Sequence, residues 1–302
     1  MGFKLKNLGT SYRGFAANIG PLNLTAGVPV AEIYMGMHGR LTLAAGAGLT
    51  LATCLDEIDE VTITRRGETI VSIENGQDLF ALELAPWFDH NIKYTTGASS
   101  SHYFYVKGLA LPCNYPVGVS GEFQLTVENA ANANTATEVM SIAEGQGFYR
   151  ANEFGMGEDL LSKHFHIVKR LFTPAGTGWN SGLDIGTEGD LVGILVWSTT
   201  EEGKTVAKTS MSLYEVKLEI GGETVLQCDP LTLPCREGAR TSGQSSATFQ
   251  TEQIAEGAIL DQYFYIDFAR QPWDCRGKTV VFSTNAGTAD AIRVYPIYLV
   301  DA

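Results

Sequence analysis

The feature that most constrains this chain is that it repeats itself. Glu60 to Val71 (EVTITRRGETIV) matches Glu215 to Leu226 (EVKLEIGGETVL) at an offset of 155 residues, with Val61 facing Val216 and Gly67 facing Gly222. Tyr103, Phe104 and Tyr105 match Tyr263, Phe264 and Tyr265, and Pro112 faces Pro272, at an offset of 160. Gly121 to Ala130 matches Gly277 to Ala286 at 156, and Leu22, Leu24 and Ile33 match Leu183, Ile185 and Ile194 at 161. Four matches in one order, with an offset drifting by a few residues, are the signature of a duplicated domain whose loops differ in length.

The matched segments read as strands. Val61 and Ile63, or Val216, Leu218 and Ile220, alternate with polar neighbours, as do Phe123, Leu125 and Val127, which is the period-2 pattern of a half-buried strand. Leu191 to Trp197 is apolar throughout except for Gly193, which suits a central strand covered on both faces. Arg66-Gly67, Gly221-Gly222, Asn75-Gly76 and the Asn285 to Gly287 stretch supply turn chemistry. Each half then offers about eight short strands, and the fold class expected is all-β: two tandem eight-stranded jelly-roll barrels. The expected organisation is an N-terminal basic arm over 1–20, a first jelly roll over 21–150, a linker over 151–170 and a second jelly roll over 171–302. Helical signals are few; Asp159 to Leu171 reads either as a short helix or as a connecting strand.

At 302 residues each half is long enough to bury a core without staples. No apolar run reaches the length of a membrane span, and the first residues lack the apolar stretch of a signal peptide, so a soluble, non-secreted chain is expected. The formal sequon at Asn23 is then expected to stay unmodified. Five cysteines, without a CxxC pair, favour buried free thiols, with a Cys228 to Cys235 bridge as the alternative. A net charge of -13 disfavours direct contact with nucleic acid. The segment before Glu32 is nevertheless +3, through Lys4, Lys6 and Arg13, while the rest sums to -16. A basic arm on an acidic body points to an anionic surface or an acidic neighbour as its partner, or to incidental charge on a terminus.

Motifs that carry chemistry are missing. His164-Phe165-His166 resembles the start of a cupin metal site, but no Glu follows within a few residues; two imidazoles flanking a buried Phe are the plainer account. Asp56, Glu57, Asp59 and Glu60 crowd four acids into five residues without EF-hand spacing and read as a solvated turn. Gly176-x-Gly178 misses the dinucleotide fingerprint, and Gly118 to Gly121 misses a nucleophile elbow. No catalytic residue, metal ligand or cofactor is therefore expected, and the chain is not read as an enzyme.

The order of segments, GRLTLAAG (Gly39 to Gly46), IDEVTITRRGETIVSIENGQDLFALEL (Ile58 to Leu84) and SSHYFYVKGLALP (Ser100 to Pro112), with a second copy of each strand set, resembles the double jelly-roll major capsid proteins of tailless icosahedral viruses with an internal membrane, the lineage that includes adenovirus hexon. That resemblance implies a homotrimer whose six barrels make a pseudo-hexagonal tile of a capsid lattice, located in the virion and made in the host cytoplasm. Minor capsid or penton proteins are its implied neighbours. Lys4, Lys6 and Arg13 would then face inward, toward the internal viral membrane or adjacent capsomers. The chain is too short for the outer towers of hexon, which puts receptor binding in doubt. Two other classes stay open. An enzyme on two β-sandwiches (a bicupin or glycan hydrolase) needs a metal triad or carboxylate pair inside a barrel. A carbohydrate-binding module is marked by exposed aromatics, for which Trp87, Trp179 and Trp273 are the candidates.

Overall fold

The structure is a computed structural model that describes residues 4–7, 18–23, 30–41, 51–83, 102–115, 122–129, 135–144, 163–198, 213–233, 262–268 and 271–301. The chain divides between Phe165 and His166 into two compact units. That division falls inside the 151–170 stretch expected to link the halves.

In the first unit the strands are β1 (Lys4–Asn7), β2 (Asn18–Asn23), β3 (Val30–Leu41), β4 (Ile58–Arg65), β5 (Glu68–Ile73), β6 (His102–Tyr115), β7 (Phe123–Asn129) and β8 (Thr135–Glu144). They pair in the orders β1-β8-β3-β6 and β2-β7-β4-β5. Counted along the chain, that is first-eighth-third-sixth and second-seventh-fourth-fifth, the connectivity of a jelly roll. Two helices, α1 (Leu51–Leu55) and α2 (Gly76–Glu83), lie between strands.

The second unit repeats this order. After β9 (Lys163–Val168) come β10 (Arg170–Phe172), β11 (Gly178–Asp184), β12 (Asp190–Trp197), β13 (Leu213–Ile220), β14 (Glu223–Cys228), β15 (Tyr263–Asp267), β16 (Trp273–Asp274), β17 (Val280–Ala286) and β18 (Ile292–Asp301). β10 pairs β18, β18 pairs β12 and β12 pairs both β15 and β16, while the other sheet runs β11-β17-β13-β14. With β15 and β16 taken as one interrupted sixth strand, the two orders are those of the first unit. The stretch Lys163–Phe172 is thus strand and not helix.

Among the described residues, all four sequence matches fall on equivalent strands or on the connections beside them. In the fourth-fifth hairpins, Arg65 pairs Glu68 and Ile220 pairs Glu223, leaving two-residue turns. Both central residues have positive φ in each: Arg66 50° and Gly67 87°, Gly221 60° and Gly222 84°. This is the primed turn that a two-residue hairpin favours, because its twist matches that of the flanking strands. The first turn amide donates to the carbonyl just ahead of the seventh strand in both copies, Arg66 N to Glu122 O at 3.0 Å and Gly221 N to Thr279 O at 2.8 Å. Gly222→Ala is expected to cost about 1 kcal/mol through the left-handed conformation alone, seen as a lower urea midpoint.

The registers correct one alignment. Val61 pairs Val127 and Ile63 pairs Leu125, whereas Val216 pairs Thr284 and Leu218 pairs Phe282. With Val61 equivalent to Val216, Leu125 corresponds to Phe282 and not to Val281, an offset of 157. Because side chains alternate between faces, one residue decides which set points inward. Phe282 is fully buried, and Val281 is half-buried.

The interior of the second unit is built from Leu218, Phe282, Ile194, Val196, Phe264 and Tyr298 among others. β12 is buried from Asp190 to Val196, as its unbroken apolar run leads one to expect, and β18 is buried from Ile292 to Leu299. Asn75-Gly76 is not a hairpin turn: Asn75 Oδ1 accepts from Asp78 N at 2.8 Å and caps α2, whose Leu79, Phe80, Ala81 and Leu82 are buried.

Connection lengths differ by end. Because β13 and β14 meet at a two-residue turn, the third-fourth and fifth-sixth connections (198–212 and 229–262) both leave from the opposite end. The same argument puts 42–57 and 74–101 together in the first unit. The end bearing the hairpin turns carries only short connections such as 185–189 and 275–279.

A further duplicated detail lies at the margins. β2 and β11, the second strands, are both edge strands, and each carries a register shift: Ile19/Leu22 in one, Asn180/Leu183 in the other. Both members of the pair are 161 residues apart, the offset at which Leu22 matches Leu183.

Candidate functional site

Lys4 and Lys6 do not extend freely. Lys4 is registered with Glu144 and Lys6 with Ile142, so the part of the expected basic arm that is described, β1, is the first strand of the first jelly roll. Arg13 lies outside the described residues.

The repeat-defining residues lie on strands, at their turns or beside them. Val61 and Val216 are buried, and Tyr263, Phe264 and Tyr265 are buried on β15. Tyr103, Phe104 and Tyr105 run along β6 opposite Arg40, Gly39 and His38. Pro112 sits within β6 opposite Glu32, and Pro272 precedes β16. Both sixth strands are sheet edges, where a residue lacking an amide donor breaks no ladder. Each also carries, at or near its end, a buried thiol that donates to the carbonyl two residues back, Cys113 to Leu111 at 3.5 Å and Cys275 to Trp273 at 3.3 Å. Sequence comparison missed this pair because the second strand is interrupted before its thiol.

The cysteines are free where described: Cys54, Cys113 and Cys275 buried, Cys228 half-buried. Cys235 lies outside the described residues. Burial pushes the Cys54 thiol up to about 12, reinforced by Glu57 and Asp56, and the Cys275 thiol up to about 11. At neutral pH both are protonated and poor nucleophiles.

His164, Phe165 and His166 are all buried on β9. His164 meets the Phe123 ring edge-on at 6.3 Å. His166 Nδ1 lies 2.6 Å from Glu188 Oε2, and Glu188 Oε1 is 3.4 Å from Arg170 Nη2. Glu188 arrives from the connection after β11, a partner that a search for nearby acids passes over. The four clustered acids separate: Asp56 and Asp59 are exposed, Glu57 is buried, and Glu60 accepts from Ser72 Oγ at 2.9 Å. Asp56 accepts from Gln77. Among the described residues no group of three His, Cys, Asp or Glu side chains is placed to hold a metal. No helix among them is long and apolar enough to cross a membrane.

Arg276 spans two facing carboxylates. Asp190 and Asp274 are opposite one another, and the guanidinium lies 3.4 Å from the first and 2.8 Å from the second. That pairing offsets a repulsion that like charges directly opposite on neighbouring strands would otherwise exert. It holds β16 to β12.

Of the tryptophans, Trp197 carries the Arg293 guanidinium 3.4 Å over its ring and donates to Gln262. Trp273 packs against the interior of the second unit. Trp87 lies outside the described residues. Trp179, on β11, is 49% exposed.

Two complete eight-stranded jelly rolls in tandem define the class: a double jelly roll. No protein-family model and no curated protein matches the sequence. Among solved structures, the chain is similar to the STIV major capsid protein, at 13% identity and a TM-score of 0.68 over 99% of this chain and 97% of that one. It is also similar to the major capsid protein P2 of bacteriophage PM2, at 11% identity and a TM-score of 0.58 over 99% and 98%. At these identities the likeness is one of fold.

Proposed function

We propose that the chain is a major capsid protein, a non-catalytic building block that forms trimers and then the lattice of an icosahedral shell in the virion. The observation that carries this reading is that two jelly rolls of the same connectivity account for every described strand except β9, in a chain that two capsid proteins match over nearly their whole length. The interior positions assigned above in the second unit are hydrophobic side chains packed on one another, which supports a structural role. A doubled barrel also has a geometric use: three copies present six similar bodies, and a six-sided tile packs a plane.

In this reading loops face outward and the N-terminal segment faces the shell interior. Lys4, Lys6 and Arg13 serve the inner side, meeting the internal membrane or a neighbouring capsomer, and minor capsid or penton proteins fill the remaining positions. Because β1 belongs to a sheet, this role is tested by exchanging the three charges for Gln rather than by deleting the segment. Retained lipid and normal yield of particles after the exchange would count against it.

The shell reading is tested by native mass spectrometry and sedimentation of the purified chain. A species of three times the 32.6 kDa chain mass that associates further into closed particles is expected. A monomer that never associates, or one that copurifies with bound transition metal, would overturn it.

A further inference from the structure

We infer that the outer face of the β11-β17-β13-β14 sheet carries a saccharide-binding row centred on Trp179. The registers build it. Trp179 is opposite Asn285, and Asn285 is opposite Glu215, so the three side chains share one face on adjacent strands. It is the outer face, because the interior of the same strands is made by Leu183, Phe282, Val216 and Leu218. Gln227 on β14 extends the row, its Nε2 donating to Glu215 Oε1 at 2.8 Å. With strands about 4.8 Å apart, Trp179 and Glu215 stand about 10 Å from one another, the reach of one or two pyranose rings.

The duplication supplies a second observation. The equivalent row of the first unit is Asn18, Glu128 and Glu60, read from Asn18 opposite Glu128 and Glu128 opposite Glu60. Its outer member is retained: Ser72 donates to Glu60 as Gln227 donates to Glu215, each pair 155 residues apart. Only the other two positions differ, Asn and Glu in the first unit against Trp and Asn in the second. The fold therefore makes no demand for an indole at the outer edge of this sheet. The second unit nonetheless presents one to water with half its surface open.

The chemistry of the row selects the ligand. An indole face is electron-rich and attracts the weakly positive axial C–H bonds of a pyranose, while a planar amide and a carboxylate offer donors and acceptors to its hydroxyls. The connection ahead of Trp179 is braced by the side chain that follows the indole. Asn180 accepts from Ala175 N at 2.9 Å and donates to the Gly176 and Gly178 carbonyls at 2.8 Å each. Glu215, and Glu219 beside Lys217 at 2.9 Å, disfavour an anionic sugar, so a neutral hexopyranoside or N-acetylhexosamine fits best. A protein anchor is less suited, because one aromatic in a polar row lacks the desolvated pocket in which interface hot spots sit.

Saturation-transfer NMR on the full chain, with the methyl glycosides of glucose, galactose, mannose and N-acetylglucosamine as probes, tests this. Transfer to the ring protons of at least one glycoside is expected. Binding should weaken about tenfold or more in Trp179→Ala and be partly kept in Trp179→Tyr. Asn285→Glu, which introduces the charge of the first-unit row, is expected to weaken it as well. Absence of transfer from all four probes, or transfer unchanged in Trp179→Ala, would overturn the inference. So would loss of particle assembly in Trp179→Ala without any glycoside bound, since the indole would then be a contact between copies. The saturation-transfer readout needs no particles, so it is independent of the shell reading.

Discussion

Phe282→Ala is expected to destabilise the second unit by about 4 kcal/mol, measured as a lower urea midpoint at unchanged slope. The ring is fully buried in the middle of β17, with Leu183 opposite on one side and Leu218 on the other. Truncation removes the transfer free energy of the ring and leaves a cavity between two sheets that cannot close without moving both. Val281→Ala, one residue earlier, should cost below about 1 kcal/mol, because its side chain lies on the outer face. Comparable losses at the two positions would mean that β17 is slipped by one residue, and the alignment of the halves at 156 would be restored.

A larger effect for its size is expected from Gly189→Ala. A methyl group at this position would overlap the Leu299 carbonyl oxygen and crowd Val300 Cα, so the obstacle is main chain and not a side chain that can turn aside. The Gly189 carbonyl also accepts from Cys275 N at 3.0 Å, which fixes the residue from its other side. Either β18 shifts, disturbing a strand buried from Ile292 to Leu299, or the hydrogen bond is lost. A cost of about 3 kcal/mol or more is expected, read as a lower melting temperature or failure to accumulate folded chain. Gly176→Ala, where nothing stands within 4 Å of the added carbon, is the control and should be close to neutral. Equal tolerance at both sites would contradict the packing of β18 described above.

How far the sequence could be read depended on whether the information was local. Strand identity was legible because alternation and turn residues are short-range, and among the described residues each match between the halves landed on equivalent strands or on the connections beside them. The residue-level register of the seventh strands was not. Identical Asn-Ala pairs at Asn129 and Asn285 drew the alignment to 156, whereas the hydrogen bonds from the hairpin turns to Glu122 and Thr279 fix it at 157. Helix α2 was hidden because an Asn-Gly pair serves a turn and a helix cap equally well, and only the buried residues after it decide. The buried run of β18 was obscured by Arg293, a charge that Trp197 covers.

The candidate sites were harder still. The pairing of His166 with Glu188 joins positions 22 residues apart across two strands and their connections. The row of Trp179, Asn285 and Glu215 requires two registers at once, and no window of sequence contains both. Lys4 and Lys6 were visible as charge, but their place in a sheet depends on β8, more than a hundred residues away.

The kinks shared by β2 and β11 bear on how copies of such a chain can coexist at high density. A straight margin offers its unused amides and carbonyls in step, so any extended segment can zip onto it and propagate a fibre. A margin bent at the same place in each half spoils that rhythm without touching the interior. Neighbours are then left to recognise one another through side chains, which sequence can retune one at a time while the scaffold beneath them stays as it is.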